Sequence, residues 1–209
     1  MGAVADERKR LGRPADTDSA DTRARIVECA MELFGNEGFD ATTNRGIAKA
    51  AGVSSAALYH YFESKADIYV AVCDAIVCRF AEIFGKVSAR EPTLMGRLSL
   101  LMRENVSLGK VSPGLMGFVA GIPTVVKRHP EVLRGTQSLT VEFRKMAIEV
   151  VESAHEKDVA LRGLPAAGFA DLLVVVLSGL GRLSARGMHD RHRAAAAAFL
   201  QLVGPGNEA

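Results

Sequence analysis

The chain has 209 residues, 48% of them apolar and 24% charged, and 26 basic against 24 acidic residues leave a formal charge of +2. That length suits one ordinary domain or a small domain beside a larger one, and the composition is that of a globular rather than a disordered protein. A near-neutral balance excludes a basic bulk, so any contact with nucleic acid has to come from locally placed charge.

Residues 1–20 lack apolar periodicity and read as a flexible arm. The arm contains "RKRLGRP", Arg8 to Pro14, with four basic residues and no acid. This is either a solvated tail or an arm in which Arg10 and Arg13 reach DNA. Met1 to Pro14 has no apolar core of the signal-peptide kind, so no leader is expected. From Asp21 the pattern is helical. Ile26, Ala30, Leu33 and Phe34 make one apolar face behind an N-cap at Asp21 or Thr22. "GNEGF" ends that helix, with Gly38 suited to a left-handed conformation. Thr42-Thr43 opens a short helix carrying Ile47, Ala48 and Ala51, and Gly52 breaks it. Ser54 caps a third helix, Val53 staples it from outside, and Leu58 and Phe62 turn inward together. "SKAD", Ser64 to Asp67, has the form of a capping box for a long fourth helix reaching about Phe84.

Further helices are expected near 93–109, 115–128, 130–157, 165–186 and 189–203, separated by "SAREP", "KVSPG", "RHP" and "RGLP". No segment alternates like a strand, and "VVVL" at 174–177 sits inside a longer apolar run. The most apolar stretch, Leu172 to Gly181, is bounded by Asp171 and Arg182 and is read as too short to cross a bilayer. The fold expected is all-α: a three-helix unit at 21–66, joined by the fourth helix to a helical region over 67–209.

Residues 42–62 have helix-turn-helix spacing, with a glycine in the tight turn. The second helix of such a pair enters a major groove. With Leu58 and Phe62 in the core, Ser54, Ser55, Ala56, Tyr59 and His60 remain outside, and Tyr61 lies on the border. Small residues in the first turn let the helix N-terminus approach the duplex, where free N–H groups attract phosphate. Tyr59, His60 and Lys65 add donors for the sugar-phosphate backbone, whose contacts position a protein without specifying sequence.

The anchors Gly38-Phe39, Thr42-Thr43, Ile47-Ala48, Ala51-Gly52-Val53-Ser54, Leu58-Tyr59-His60, Phe62 and Ser64-Lys65 stand in an order that resembles the N-terminal domain of the TetR family of transcriptional repressors over residues 22–69. The resemblance implies an all-helical, usually dimeric regulator whose C-terminal domain binds a small molecule. It also implies phosphate contacts by Thr43, Tyr59, His60 and Lys65, and places near bases for Arg45, Ser54, Ser55 and Ala56. Two positions depart from the family pattern. Asn44 stands where an apolar or basic residue is common, and is a candidate base or phosphate contact. Gly46 stands where an acid would complete a capping box from Thr43, and weakens its helix by up to ~1 kcal/mol relative to alanine.

In the C-terminal part, Asn105 is a polar amide on the apolar stripe of Leu94, Leu98, Leu101 and Leu108. It either bonds a neighbouring helix or orients a ligand. Met102, Met116, Phe118, Phe143 and Met146 are candidates to line a pocket with it, or are plain core. Pro123 is expected to kink its helix. The helix at 165–186 is apolar nearly all round. With the alanine-rich last helix it is expected to form a homodimer interface, through Leu173, Val176, Leu177, Leu180 and Phe199, the alternative being burial within one chain.

Cys29, Cys73 and Cys78 fit no disulfide framework or zinc spacing, which agrees with a reducing cytoplasm. His189 and His192 are three apart but have no Cys or carboxylate partner near in sequence, so no metal site is expected. No nucleophile–base pairing or phosphate loop appears, so neither an enzyme nor a cofactor is expected. The function expected is a homodimeric repressor on a palindromic DNA operator, released by a small, largely apolar effector. Activation by the ligand, or DNA architecture without one, are the other readings.

Overall fold

The computed structural model describes residues 15–155, 161 and 163–204. Arg10 and Arg13 lie outside the described residues. Nine α-helices and one 3-10 turn make up the described fold, with no strand beyond an isolated bridge between Thr93 and His155.

The first helix, α1, spans Ala15–Glu37 and starts well before the expected cap at Asp21 or Thr22. The run from Ala15 to Ala20 contains neither glycine nor proline, so nothing in it stops a helix, and residues 15–20, expected in the arm, are helical. Gly38, at φ +86°, ends α1 in the left-handed region. α2 covers Asn44–Ala50 and α3 covers Ser55–Tyr61, with Gly52 at φ +66° between them. α4, Lys65–Arg90, opens on the expected box. The Asp67 N–H donates to Ser64 Oγ at 3.1 Å, and that hydroxyl donates to Asp67 Oδ2 at 2.8 Å. The helix runs past Phe84 because Gly85 has open space around it and Val87 is buried again beyond it.

α5 is Leu94–Val111, capped by Thr93, and α6 is Pro113–Arg128, started by a proline whose missing N–H costs nothing there. The segment expected as one helix over 130–157 divides into a 3-10 turn, Pro130–Val132, and α7, Leu133–Glu152. The chain leaves α7 because its next residues are needed elsewhere. His155 N–H donates to the Pro92 carbonyl at 2.7 Å, and the buried Arg97 donates to the Val150 and Ser153 carbonyls at 2.7 and 3.4 Å. α8, Ala166–Ala185, and α9, His189–Val203, complete the fold. All 20 residues of α8 together are long and apolar enough to cross a membrane by composition, which the shorter window read from sequence did not capture. Here one face of α8, with Leu173, Leu177 and Leu180, is buried in the bundle.

Two apolar clusters hold the molecule together. The first joins α1 to α3 with the N-terminal half of α4, α6 and the start of α7, so the helix-turn-helix unit shares its core with the rest of the chain. The second gathers the C-terminal half of α4 with α5, α7, α8 and α9. Between α1 and α6 the backbones touch without side chains. A Cβ on Gly35 would overlap the Gly114 carbonyl, and one on Gly117 would overlap the Gly35 carbonyl.

Candidate nucleic-acid interface

The turn that presents α3 is built from caps. Thr43 Oγ1 accepts from the Gly46 N–H at 3.0 Å, and Ser54 Oγ accepts from the Ala57 N–H at 3.0 Å. The half of the capping box that Gly46 cannot supply is therefore absent, while the other half is made. Leu58 is fully buried and Phe62 nearly so, which fixes the rotation of α3. Ser54, Ser55, Ala56, Tyr59 and His60 are consequently exposed together, Tyr59 by 54%. Arg45 is exposed in the first turn of α2, beside the half-buried Asn44.

Asn44 joins the two helices: its Nδ2 donates to the Tyr59 hydroxyl oxygen at 3.1 Å. That leaves the phenol proton free to be donated outward. Lys65 stands apart from the other expected phosphate contacts. Its Nζ donates to the Phe39 and Thr42 carbonyls at 2.7 and 3.0 Å and sits 4.4 Å from the centre of the Phe39 ring. The ammonium thus closes the α1–α2 turn and keeps only one donor to spare.

Sequence reasoning missed several groups that position this unit. Arg25 Nε donates to the Ala51 carbonyl at 2.8 Å, at the end of α2, and the Arg23 guanidinium lies 4.9 Å from the Phe62 ring centre. From the far end of α6, Arg128 and His129 reach Asp40 at 2.7 and 2.6 Å. The His129 hydrogen bond, with Arg128 adding its charge, holds the Asp40 carboxyl below the usual carboxylate range. Partners 89 residues apart leave no periodic trace in a sequence.

A partly open cavity of about 260 Å³ is lined by α4, α5, α6, α7 and α8. Of the residues read as pocket candidates, Asn105, Met116 and Phe143 line it. Met102, Phe118 and Met146 do not. Met102 and Met146 pack on the second cluster, and Phe118 faces the first, with its ring 4.4 Å from that of Tyr69. The cause is helical phase: Met102 follows Leu101 by about 100°, and Phe118 is about 200° round from Met116. Asn105 is also committed internally, since its Nδ2 donates to the Leu177 carbonyl at 3.3 Å and its Oδ1 lies 2.8 Å from His192 Nε2. Phe80, Phe84, Glu104 and Arg182 line the cavity and were not singled out from sequence as pocket residues, although Phe80 and Phe84 are spaced to share one face of α4.

The expected dimer residues fall mostly inside the chain. Leu173, Leu177, Leu180 and Phe199 are buried in the second cluster, and Val176 packs partly against it. The apolar side of α8 that remains exposed carries Leu172 and Val175, the latter 67% exposed, while Leu202 is exposed on α9. The most hydrophobic stripe went to the chain's own core, and the sequence does not say which of two apolar faces does so.

The sequence profile described as "Bacterial regulatory proteins, tetR family" matches residues 26–72, which hold α2, α3 and the start of α4. Beyond that segment, the regulator UidR of Escherichia coli (strain K12) is 36% identical over 145 residues, covering 68% of this chain and 70% of UidR. The chain belongs to the TetR family. Members of the TetR family are DNA-binding transcriptional regulators, not enzymes. Another TetR-family relative, AcrR of Shigella flexneri, is 29% identical over 82 residues and is matched over only 38% of its length, in 39% of this chain. The crystal structure of a TetR-family regulator from Agrobacterium tumefaciens superposes with a TM-score of 0.74 over 88% of this chain and 98% of that one, at 15% identity, and so shares its fold.

Proposed function

We propose that the protein is a homodimeric repressor whose two α3 helices enter successive major grooves of a palindromic operator, and that a small, largely apolar ligand in the cavity releases it. One observation carries this reading: α4 belongs to both sites. Its first residue, Lys65, ties down the α1–α2 turn, and its Phe80, Ile83 and Phe84 line the cavity. A ligand that favours a different position of α4 shifts the spacing of the two recognition helices, provided it binds the two states unequally.

In this reading residues 21–66 are the DNA-binding unit and 67–209 the ligand-binding and dimerisation unit, and the protein works in the cytoplasm. Thr43, Tyr59 and His60 hold phosphates, Arg45, Asn44, Ser54, Ser55 and Ala56 lie near bases, and Arg10 and Arg13 add charge from the arm. Lys65 acts mainly by holding the turn. The dimer forms through the outer faces of α8 and α9, around Leu172, Val175 and Leu202, in a four-helix bundle.

The test is selection of random duplexes on the purified protein at moderate salt. An enriched inverted repeat, with half-sites about one helical turn apart, is the expected result. A single unrepeated half-site would remove the dimer, and no enrichment by the folded protein, alone or with ligand, would remove the operator.

A further inference from the structure

We propose that the cavity selects an organic cation: an apolar body bearing one amine or quaternary ammonium group. The inference rests on reading the cavity as a ligand site and adds the charge of the ligand.

Glu104 carries the argument. It is half-buried on α5, lines the cavity, and has no hydrogen bond or ion pair among the described residues. Asn105 next to it is already engaged by α8 and α9, so it cannot serve as the carboxylate's partner or as the main recognition group. A carboxylate that lines a cavity without a partner is a counter-charge ready for a cation from outside. The same lining holds an aromatic cluster. The Phe143 ring lies 4.9 Å from that of Phe80 and 5.4 Å from that of Phe84, and all three line the cavity. Ring faces attract cations, most strongly where water is excluded.

The opposing charge is Arg182, also in the lining. It is exposed on α8 and makes no ion pair with Glu104. Water screens an exposed guanidinium more than a half-buried carboxylate, so Glu104 weighs more than Arg182 on a ligand held inside. The volume, about 260 Å³, suits a ligand of one ring and a short chain.

The test uses three probes that differ only at one end: 4-phenylbutylammonium, 4-phenylbutanol and 4-phenylbutanoate. Binding to the full-length protein is measured by calorimetry at fixed salt. The ammonium is expected to bind at least ~10-fold more tightly than the alcohol, and the carboxylate weakest. Glu104→Gln should remove most of the gap between ammonium and alcohol while leaving the alcohol unchanged. The ranking in the unaltered protein needs no variant, so a folding defect in Glu104→Gln does not blur it. If the carboxylate binds best and Arg182→Gln abolishes this, the cation is wrong while the ligand site stands. Equal binding of all three likewise overturns the cation. If none binds, the cavity is not a site for such ligands and both readings fall.

Discussion

Asn44 and Tyr59 act as a pair, and the pair has a measurable signature. An amide that donates to the phenol oxygen polarises the outward O–H, so each residue's effect on duplex binding depends on the other. Asn44→Ala, Tyr59→Phe and the double variant should therefore be non-additive in duplex affinity, with a coupling of about 0.5–1.5 kcal/mol. Strict additivity would mean that the hydrogen bond has no part in binding. Lys65 predicts the opposite kind of result. Lys65→Met should lower folding stability in urea by ~2 kcal/mol, because two carbonyls lose a charged donor. Lost duplex affinity at unchanged stability would make it a phosphate contact instead. The sequence showed that Lys65 belongs to the unit but not what it bonds, since its acceptors are backbone atoms, which every residue has. His192 adds a dependence on pH. Burial, and then the charge of His189, hold its pKa below the ordinary value of 6.5. The unfolded chain then binds more protons than the folded one, so stability should fall as the pH drops below about 6.5 and level off once the folded value is passed. His192→Gln should flatten the fall in Tm between pH 7.5 and 5.5; an unchanged profile would assign the titration to other groups.

At the scale of elements, helices were legible wherever a cap or a breaker marked them. Thr43, Ser54 and Ser64 all cap as their positions implied, and Gly38 and Gly52 take the left-handed backbone that their turns require. The end of α7 was not legible, because it is decided by Arg97, a residue 53 positions from the Val150 carbonyl it holds. This guanidinium is buried and gives all its recorded bonds to carbonyls and one hydroxyl, joining the α4–α5 connection to the end of α7. Arg97→Met should cost about 3 kcal/mol in urea unfolding, because several buried acceptors lose their donor at once. A cost under about 1 kcal/mol would show that water replaces it. Half of the residues read as pocket candidates line the cavity, and most of those read as a dimer face are buried in the chain itself, for one reason. Periodicity tells which residues share a stripe, as with Leu173, Leu177 and Leu180, but not which neighbour covers that stripe.

For the whole molecule, the exposed apolar side of α8 is the surface that association would cover. Val175→Glu should turn a dimer into a folded monomer in sedimentation, whereas a like change at the buried Leu173 should unfold the chain. A dimer unaffected by Val175→Glu would place the contact on another face. The crossing of α1 over α6 bears on the proposed response to a ligand. Side chains between helices ordinarily absorb small displacements by changing rotamer. At Gly35 and Gly117 there is none to do so, and main chain rests on main chain. On the proposed ligand response, a shift of α6 near Gly117 has to carry α1 with it, and the release should show a threshold. Ligands of graded size should divide into those that leave the recognition helices where they are and those that displace them by a whole step.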